Sequence, residues 1–168
     1  MDGESKDEFV FDTSALISLG VVGLIENVIK TSKIIIPVGV LNELEEFAKY
    51  KDKYGVLSQD ILGLKDKFDI IDVEIQEEIK HVSKTDNEVY NLSKKKSLPL
   101  ITDDIKLIRH LDKKTETYFS TYFLFTLVLS NNLSKQKALM LLDELNNERN
   151  WQNNIIYITS KNELENIK

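Results

Sequence analysis

Short apolar runs rich in β-branched residues recur along the chain and alternate with longer stretches of helical periodicity. Five of these runs predict strands, at residues 9–11, 33–36, 69–73, 98–102 and 116–119. Runs of this length that are separated by helical patterns are typical of βα units, whose strands form a buried and mostly parallel sheet. The pattern therefore predicts an α/β fold.

Several helix boundaries can be predicted from the residues that usually begin helices. Pro37 suits the first turn of a helix. The apolar stripe of this helix consists of Val40, Leu41, Leu44, Phe47 and Ala48, which recur at helical spacing. Thr85 and Glu88 match a capping box at the start of another helix. Ser134 suits the N-cap of a later helix.

The length of 168 residues indicates one domain, and no repeat, low-complexity tract or linker divides the chain. We expect this domain to take up residues 1–168, with a loose polar lead-in over residues 1–8. The C-terminal part, residues 134–168, is expected to add a helix, a strand at 154–158 and a short final helix. Hydrophobic residues make up 42% of the chain and charged residues 30%, which is an ordinary globular composition.

Composition excludes several kinds of site. The chain has no cysteine, so it has no disulfide, thiolate metal site or cysteine nucleophile, and we expect a cytoplasmic location. We find no run of the ~20 apolar residues that a membrane helix needs, and expect no membrane association. The net charge of −6 counts against a dedicated nucleic-acid-binding protein. It counts less against a metal-dependent nuclease, whose ions reverse the local field of the carboxylates.

Carboxylates follow two of the predicted strands directly. Ligands of open α/β sheets bind beyond the carboxyl ends of the strands. Asp12 follows the first strand, and Asp103 and Asp104 follow the fourth; Asp86 and Glu43 lie on neighbouring helices. Converging carboxylates need a compensating charge. Oxygen ligands without cysteine or a neighbouring histidine suit a hard cation such as Mg²⁺ or Mn²⁺.

The same acids also have ordinary structural interpretations. Asp12 suits the N-cap of the next helix, and Asp103 suits an N-cap with Asp104 in the first turn. Asp86 suits a first helical turn, where the helix dipole favours negative charge. Taken singly, none of these acids indicates a functional site.

The helix after the second strand offers two candidate acids. At about 100° per residue, Glu43 and Glu45 lie at opposite borders of the apolar stripe. Either residue is also compatible with a solvated helix surface. Periodicity alone does not choose between Glu43 and Glu45.

Four segments together resemble the motifs of PIN domains. They are FVFDTSALI at 9–17, VLNELE at 40–45, TDNEV at 85–89 and LPLITDD at 98–104. The second segment places the acid of the family motif at Glu43. The resemblance extends over roughly residues 8–130. The segment from Ser134 to Tyr157 is also similar to the end of PIN proteins that resemble VapC toxins.

The resemblance implies a Rossmann-like three-layer α/β/α sandwich with a mostly parallel central sheet, an acidic pocket for Mg²⁺ or Mn²⁺, and cleavage of single-stranded RNA. The catalytic, metal-binding acids that it implies are Asp12, Glu43, Asp86 and Asp104. The family motif favours Asp104, but the doubled acid leaves Asp103 open as a further metal-binding candidate. Ser14 and Thr102 match small hydroxyl positions that support the pocket. Glu88 matches no required position of the family and is an auxiliary candidate only.

A basic stripe follows the last acid pair. Lys106, Arg109 and Lys113 have helical spacing and are candidates for contacts with RNA phosphates, although an ordinary solvated face explains them as well.

From the resemblance to PIN domains we expect an endoribonuclease with an RNA substrate. The resemblance also allows an antitoxin partner and a homodimer. The alternative is a non-catalytic PIN-fold module that binds RNA. The presence of all four motif acids counts against this alternative.

Overall fold

A five-stranded parallel sheet forms the centre of the fold. The structure is a computed structural model that describes residues 6–151 and 154–167. The strands are β1 (Asp7–Phe11), β2 (Ser32–Pro37), β3 (Asp69–Ile71), β4 (Leu100–Ile101) and β5 (Thr117–Tyr118), in the order β3-β2-β1-β4-β5. Each lies within two residues of its predicted bounds. The predicted α/β fold with a mostly parallel central sheet is confirmed.

Helices cover the sheet and complete the three-layer α/β/α sandwich. They are α1 (Thr13–Val21), α2 (Ile25–Thr31), α3 (Val38–Phe47), α4 (Lys53–Leu62), α5 (Lys84–Lys96), α6 (Ile105–His110), α7 (Tyr122–Leu129), α8 (Lys135–Glu148) and α9 (Ile155–Glu165), with a short 3₁₀ helix at Lys65–Lys67. Among the described residues, no single helix is long and apolar enough to cross a membrane. The pair α1 and α2 passes that test jointly, but the two are bent by 112°.

The strand order places a switch point between β1 and β4. After β1 the chain forms β2 and β3 on one side of β1, and it then crosses over to form β4 and β5 on the other side. Phe11 pairs with Ile101, so Asp12 and Thr102 follow side by side at the carboxyl ends of their strands. The backbone N–H of Asp12 donates to the carbonyl of Ile101 at 3.1 Å. This is the position where open α/β sheets bind ligands.

The central strands are held rigidly by apolar packing on both faces. Val10, Phe11 and Ile101 are fully buried, as expected for parallel strands that helices cover on both sides. Phe9 and Phe11 also contact the ring of Phe123 on α7, with centroid distances of 5.6 and 5.7 Å. The packing fixes the ends of β1 and β4, from which the candidate site extends.

The predicted strand at 154–158 is wrong, because this segment begins helix α9. The Asn154 side chain caps the helix by accepting from the N–H of Ile156 at 2.9 Å. Ile156, Ser160 and Leu164 are buried at a spacing of four residues, which is one face of a helix. The β-branched run suggested a strand, but burial along a single helical face determines the structure.

The predicted capping box is also placed differently. Helix α5 is capped by Ser83, whose hydroxyl accepts from the N–H of Asp86, while the Asp86 carboxylate accepts from the N–H of Ser83, both at 3.0 Å. Thr85 and Glu88 lie inside the helix. Because the helix begins earlier than predicted, Glu88 is free to contact another element.

The predicted lead-in over residues 1–8 is partly wrong. Asp7 and Glu8 belong to β1, where they pair with β2. Residues 1–5 lie outside the described residues. Pro37 ends β2 and is the N-cap of α3, one residue before the first turn in which it was expected. The prediction of a single domain over the whole chain stays a prediction.

Candidate functional site

Asp12 lies at the end of the central strand β1 and caps helix α1. Its Oδ1 accepts from the N–H of Ala15 at 2.8 Å, and its Oδ2 accepts from the hydroxyl of Thr102. The hydroxyl of Ser14 lies 2.8 and 2.9 Å from the two carboxylate oxygens. Burial raises the pKa of the Asp12 carboxyl from 3.8 to about 7, although these hydrogen bonds oppose the rise.

Two hydroxyl groups join the ends of β1 and β4. Ser14 Oγ accepts from the N–H of Asp103 at 2.9 Å while its proton is directed to Asp12. Thr102 Oγ1 accepts from the N–H of Asp104 at 3.0 Å and donates to Asp12. Each hydroxyl therefore ties the Asp12 carboxylate to the loop that carries the next acid. The predicted supporting positions Ser14 and Thr102 are thus in contact with the predicted acid.

Glu43 and Glu45 are distinguished by their surroundings. Glu43 lies on α3, and its Oε2 accepts from the hydroxyl of Thr13 on α1. Glu43 is half-buried and lines the same cleft as Asp12, whereas Glu45 is exposed and does not line it. The structure therefore brings Glu43, and not Glu45, to the candidate site.

Asp86 and Asp104 are held at the N-termini of their helices. Asp86 Oδ2 takes part in the capping box of α5, and Asp104 Oδ1 accepts from the N–H groups of Lys106 and Leu107 at 2.7 and 3.2 Å. The second oxygen of Asp86, of Asp104 and of Glu43 accepts no hydrogen bond from the described residues. Each side chain is thus anchored by one oxygen, while its other oxygen is available to a ligand.

A single cleft of about 690 Å³ gathers these acids. Its lining includes Asp12, Glu43, Asp86 and Asp104, together with Thr13, Ser14, Thr85, Phe47, Tyr50, Tyr54 and Arg149. Within residues 6–151 and 154–167, no group of three acidic or histidine side chains stands close enough to hold one ion between its members. The acids thus surround a common space without forming a closed cage.

The residues present fit a hard divalent cation. The four predicted acids at the cleft supply oxygen, which Mg²⁺ and Mn²⁺ prefer, and three of them have an uncommitted carboxylate oxygen. A fifth acid of the lining, Asp52, is the N-cap of α4 and accepts from the N–H of Gly55. Mg²⁺ usually keeps several waters and binds through one or two carboxylates and substrate phosphates. An open set of acids around a wide cleft suits such binding better than a closed protein cage would.

Asp103 is placed apart from the other four acids. Its carboxylate accepts from the N–H and the hydroxyl of Ser120, at 2.9 and 2.7 Å, and it does not line the cleft. Burial raises the pKa of the Asp103 carboxyl. The geometry gives Asp103 the role of joining the end of β4 to the segment that precedes α7.

Glu88 connects two helices that carry candidate acids. Its Oε2 accepts from the N–H of Gly39 in the first turn of α3 at 2.8 Å, and Lys84 lies 3.5 Å from its Oε1. A Cβ at position 39 would overlap this carboxylate. Glu88 therefore fixes α3, which carries Glu43, against α5, which carries Asp86.

The predicted basic stripe does not reach the cleft. Lys106 and Arg109 are exposed on α6, and Lys113 lies beyond the end of that helix at His110. None of the three lines the cleft that the acids share. The helical spacing assumed for Lys113 is wrong, because α6 is shorter than predicted.

Sequence reasoning missed Thr13 and Arg149. Thr13 could have been found from its position directly after Asp12, where a helix presents hydroxyls next to the cap. Arg149 carried no local signal, because it follows the end of α8, far along the chain from every acid of the cleft. Tyr50 and Tyr54 likewise stood outside every motif.

The fold and its cleft define an α/β protein with acidic side chains gathered at the carboxyl edge of a parallel sheet. A family model described as PIN domain matches residues 8–165. The match covers most of the chain, so the protein belongs to the PIN domain family, whose members are generally nucleases. A search of curated proteins gave no match.

Several solved structures are similar to this chain. PAE2754 from Pyrobaculum aerophilum is 18% identical with a TM-score of 0.53, over 73% of this chain and 90% of its own. A domain of a functionally unknown protein from Methanocaldococcus jannaschii is 22% identical with a TM-score of 0.50, over 67% and 90%. The structure of VapBC2 from Rickettsia felis, bound to a DNA fragment from its promoter, is 18% identical with a TM-score of 0.48, over 67% of this chain and 98% of its own. At these identities, the first two show the fold alone.

Proposed function

We propose that this protein is an endoribonuclease that hydrolyses phosphodiester bonds of RNA with the aid of Mg²⁺ or Mn²⁺. The observation that carries the proposal is that Asp12, Glu43, Asp86 and Asp104, from four separate segments, line one cleft. Membership of a family of nucleases supports hydrolysis. The all-oxygen donor set supports a hard divalent cation.

The residues of the chain divide the work of such a site. Asp12, Glu43, Asp86 and Asp104 would hold the ion or ions, which supply Lewis-acid stabilisation of phosphate charge and a lowered pKa for bound water. Ser14 and Thr102 fix the Asp12 carboxylate, and Thr13 orients Glu43. Pre-organised oxygens of this kind need little rearrangement during the reaction, which is how fixed electrostatics lower a barrier.

Two biological settings fit this activity. The protein would act in the cytoplasm either as the toxin of a toxin–antitoxin pair or as an RNA-processing nuclease. A small antitoxin-like protein encoded beside it would favour the toxin, and a ribosomal protein encoded beside it would favour the RNA-processing nuclease.

A homodimer is a further proposal, which light scattering would test. The exposed cations Lys106, Arg109 and Lys113 stay a prediction for distal phosphate contacts.

One observation favours a second candidate, a non-catalytic RNA-binding module. No three acids of the described residues stand close enough to hold one ion. In this alternative, the acidic cleft would be a structural remnant and RNA would bind without being cut. The two functions differ in whether divalent metal is needed and in whether the RNA remains intact.

Cleavage of labelled single-stranded and structured RNA, with Mn²⁺, with Mg²⁺ and with EDTA, tests the proposal. We expect metal-dependent cleavage by the wild type, and none by Asp12→Asn. Asp60→Asn, which removes an exposed carboxylate from α4, should cleave as the wild type does. Wild-type rates in Asp12→Asn would refute the site. Metal-independent binding without cleavage would favour the second candidate.

A further inference from the structure

The cleft has a second wall that differs in chemistry from the acids. Phe47, Tyr50, Tyr54 and Arg149 line the same space as Asp12. Phe47, Tyr50 and Tyr54 are exposed to 40%, 63% and 38%, which is unusual for aromatic side chains that serve only the core. The wall thus presents aromatic surface and one cation beside five carboxylates, one of which, Asp52, caps α4.

This wall is built by contacts between distant segments. The hydroxyl of Tyr54 on α4 donates to the carbonyl of Glu148 at the end of α8, at 3.0 Å. Lys53 forms an ion pair with the Glu148 carboxylate at 2.5 Å. The guanidinium carbon of Arg149 lies 6.0 Å from the centre of the Tyr54 ring. These contacts between α4 and the end of α8 hold Arg149 at the cleft.

Arg149 has unused hydrogen-bonding capacity. Its Nε is buried and has no hydrogen-bond partner among the described residues. Within the same part of the chain, Arg149 takes part in no ion pair. A guanidinium presents five N–H donors in a planar fork that matches a phosphate group. Arg149 lines the cleft, and its charge also acts on the buried Asp103 carboxyl, whose pKa burial raises and this charge lowers. Its guanidinium is therefore a candidate partner for an anion in the cleft.

We propose that this wall binds one unpaired nucleotide of the substrate strand, next to the phosphodiester that is cut. Arg149 binds the phosphate of that nucleotide, and its base stacks on the aromatic surface that Tyr50 presents beside Tyr54. Aromatic stacking requires an exposed base face, which single strands offer and duplexes do not. The wall thereby selects unpaired RNA. Only the placement of this nucleotide next to the cut phosphodiester rests on the nuclease activity proposed above.

Charge favours a nucleotide over an acidic protein segment as the occupant. The chain has a net charge of −6, and five carboxylates line the same cleft, including that of Asp52. A polyanion approaches this surface only where a cation offsets the acids, and Arg149 is the one basic side chain among the lining residues that the structure describes. The flat rings beside it suit a base better than a carboxylate side chain.

Binding of a fluorescein-labelled oligoribonucleotide in EDTA, followed by anisotropy, tests the proposal without cleavage. We expect Arg149→Gln and Tyr50→Ala each to raise the Kd about tenfold. Lys137→Gln removes a cation from the other end of α8, and Met140→Ala removes an exposed apolar side chain from the same helix. Both control variants should bind as the wild type does, at the same salt concentration.

Stacking has its own readout. The fluorescence of 2-aminopurine placed in the oligonucleotide should be quenched by the wild type, because a stacked base is quenched, and not by Tyr50→Ala. A duplex of the same sequence should bind weakly to every variant, and a DNA strand of the same sequence separates a requirement for RNA from one for any unpaired base. Melting curves verify that Arg149→Gln and Tyr50→Ala are folded.

The outcomes separate this inference from the nuclease itself. An unchanged Kd in Arg149→Gln and Tyr50→Ala would overturn the inference and would leave the wall to a protein partner. An equal loss of affinity in Lys137→Gln would also overturn it, since charge alone would then explain binding. If the wild type shows the expected Kd pattern but never cleaves, the nuclease proposal fails and the nucleotide site stands.

Discussion

Replacement of Asp12 by asparagine removes a buried charge while it preserves the shape of the side chain. In the unfolded chain this carboxyl ionises near pH 3.8, whereas in the folded protein it stays protonated up to about pH 7. Between these values the folded state binds more protons than the unfolded state, so stability falls as the pH rises. Above about pH 7 the Asp12 carboxyl is ionised in both states, so its contribution to stability no longer changes with pH.

The size of this loss sets the expected effect. The gap between 3.8 and about 7 corresponds to about 4 kcal/mol as an upper limit. Asparagine keeps an oxygen for the N–H of Ala15, but its NH2 group takes the place of the oxygen that accepts from Thr102. The Thr102 hydroxyl must then turn to accept from this NH2 group, and the loss of the original hydrogen bond returns part of the gain. We therefore expect Asp12→Asn to stabilise the metal-free protein by about 1–3 kcal/mol at pH 8, and the gain to vanish toward about pH 4.

Thermal melting in EDTA at several pH values measures this gain. For a chain of this length we expect an increase in Tm of about 3–10 °C at pH 8. Asp60→Asn is the control, because it removes an exposed carboxylate. Added Mn²⁺ should raise the Tm of the wild type and not that of Asp12→Asn, since the ion binds the folded state through this acid. A variant no more stable than the wild type at pH 8, or equally stabilised at pH 4 and pH 8, would refute the reasoning.

Three further substitutions test the supports of the site. Ser83→Ala removes the N-cap of α5 and should lower the free energy of unfolding by about 1 kcal/mol in urea titrations. Gly39→Ala should cost about 2 kcal/mol in the same measurement, because the new Cβ overlaps the Glu88 carboxylate. Thr13→Val should leave the Tm nearly unchanged but lower the cleavage rate about tenfold, because Glu43 loses the hydroxyl that orients it. An unchanged rate would show that Thr13 does not position Glu43.

The sequence predicts what local patterns determine. Strands of parallel sheets are buried on both faces, so short apolar runs mark them, and the residues that follow them reach the ligand-binding edge. Asp12 and Asp104 could therefore be placed at the site from their positions after strands. Adjacent residues there need not share a role. Asp104 lines the cleft, whereas the Asp103 carboxylate accepts from Ser120 and does not line it.

What the sequence does not predict depends on contacts between distant segments. Helical periodicity left Glu43 and Glu45 equivalent, and the hydroxyl of Thr13 on another helix distinguishes them. The apolar run at 154–158 contains residues that favour strands, but burial of Ile156 against the core makes it helical. A short apolar run does not by itself separate a strand from a buried helix.

Capping and metal binding are compatible roles for these acids. Asp12 and Asp104 are the N-caps of α1 and α6, and Asp86 closes the capping box of α5. The N-terminal N–H groups of a helix bind one carboxylate oxygen and favour its negative charge. This offsets part of the repulsion between acids of like charge and, at Asp12, part of the pKa rise that burial causes. The same bonds restrict each side chain, so its second oxygen stays near the cleft. An acid that caps a helix at the carboxyl edge of a parallel sheet is therefore held ready for a ligand because it is a cap, and the two interpretations of such a residue should be weighed together.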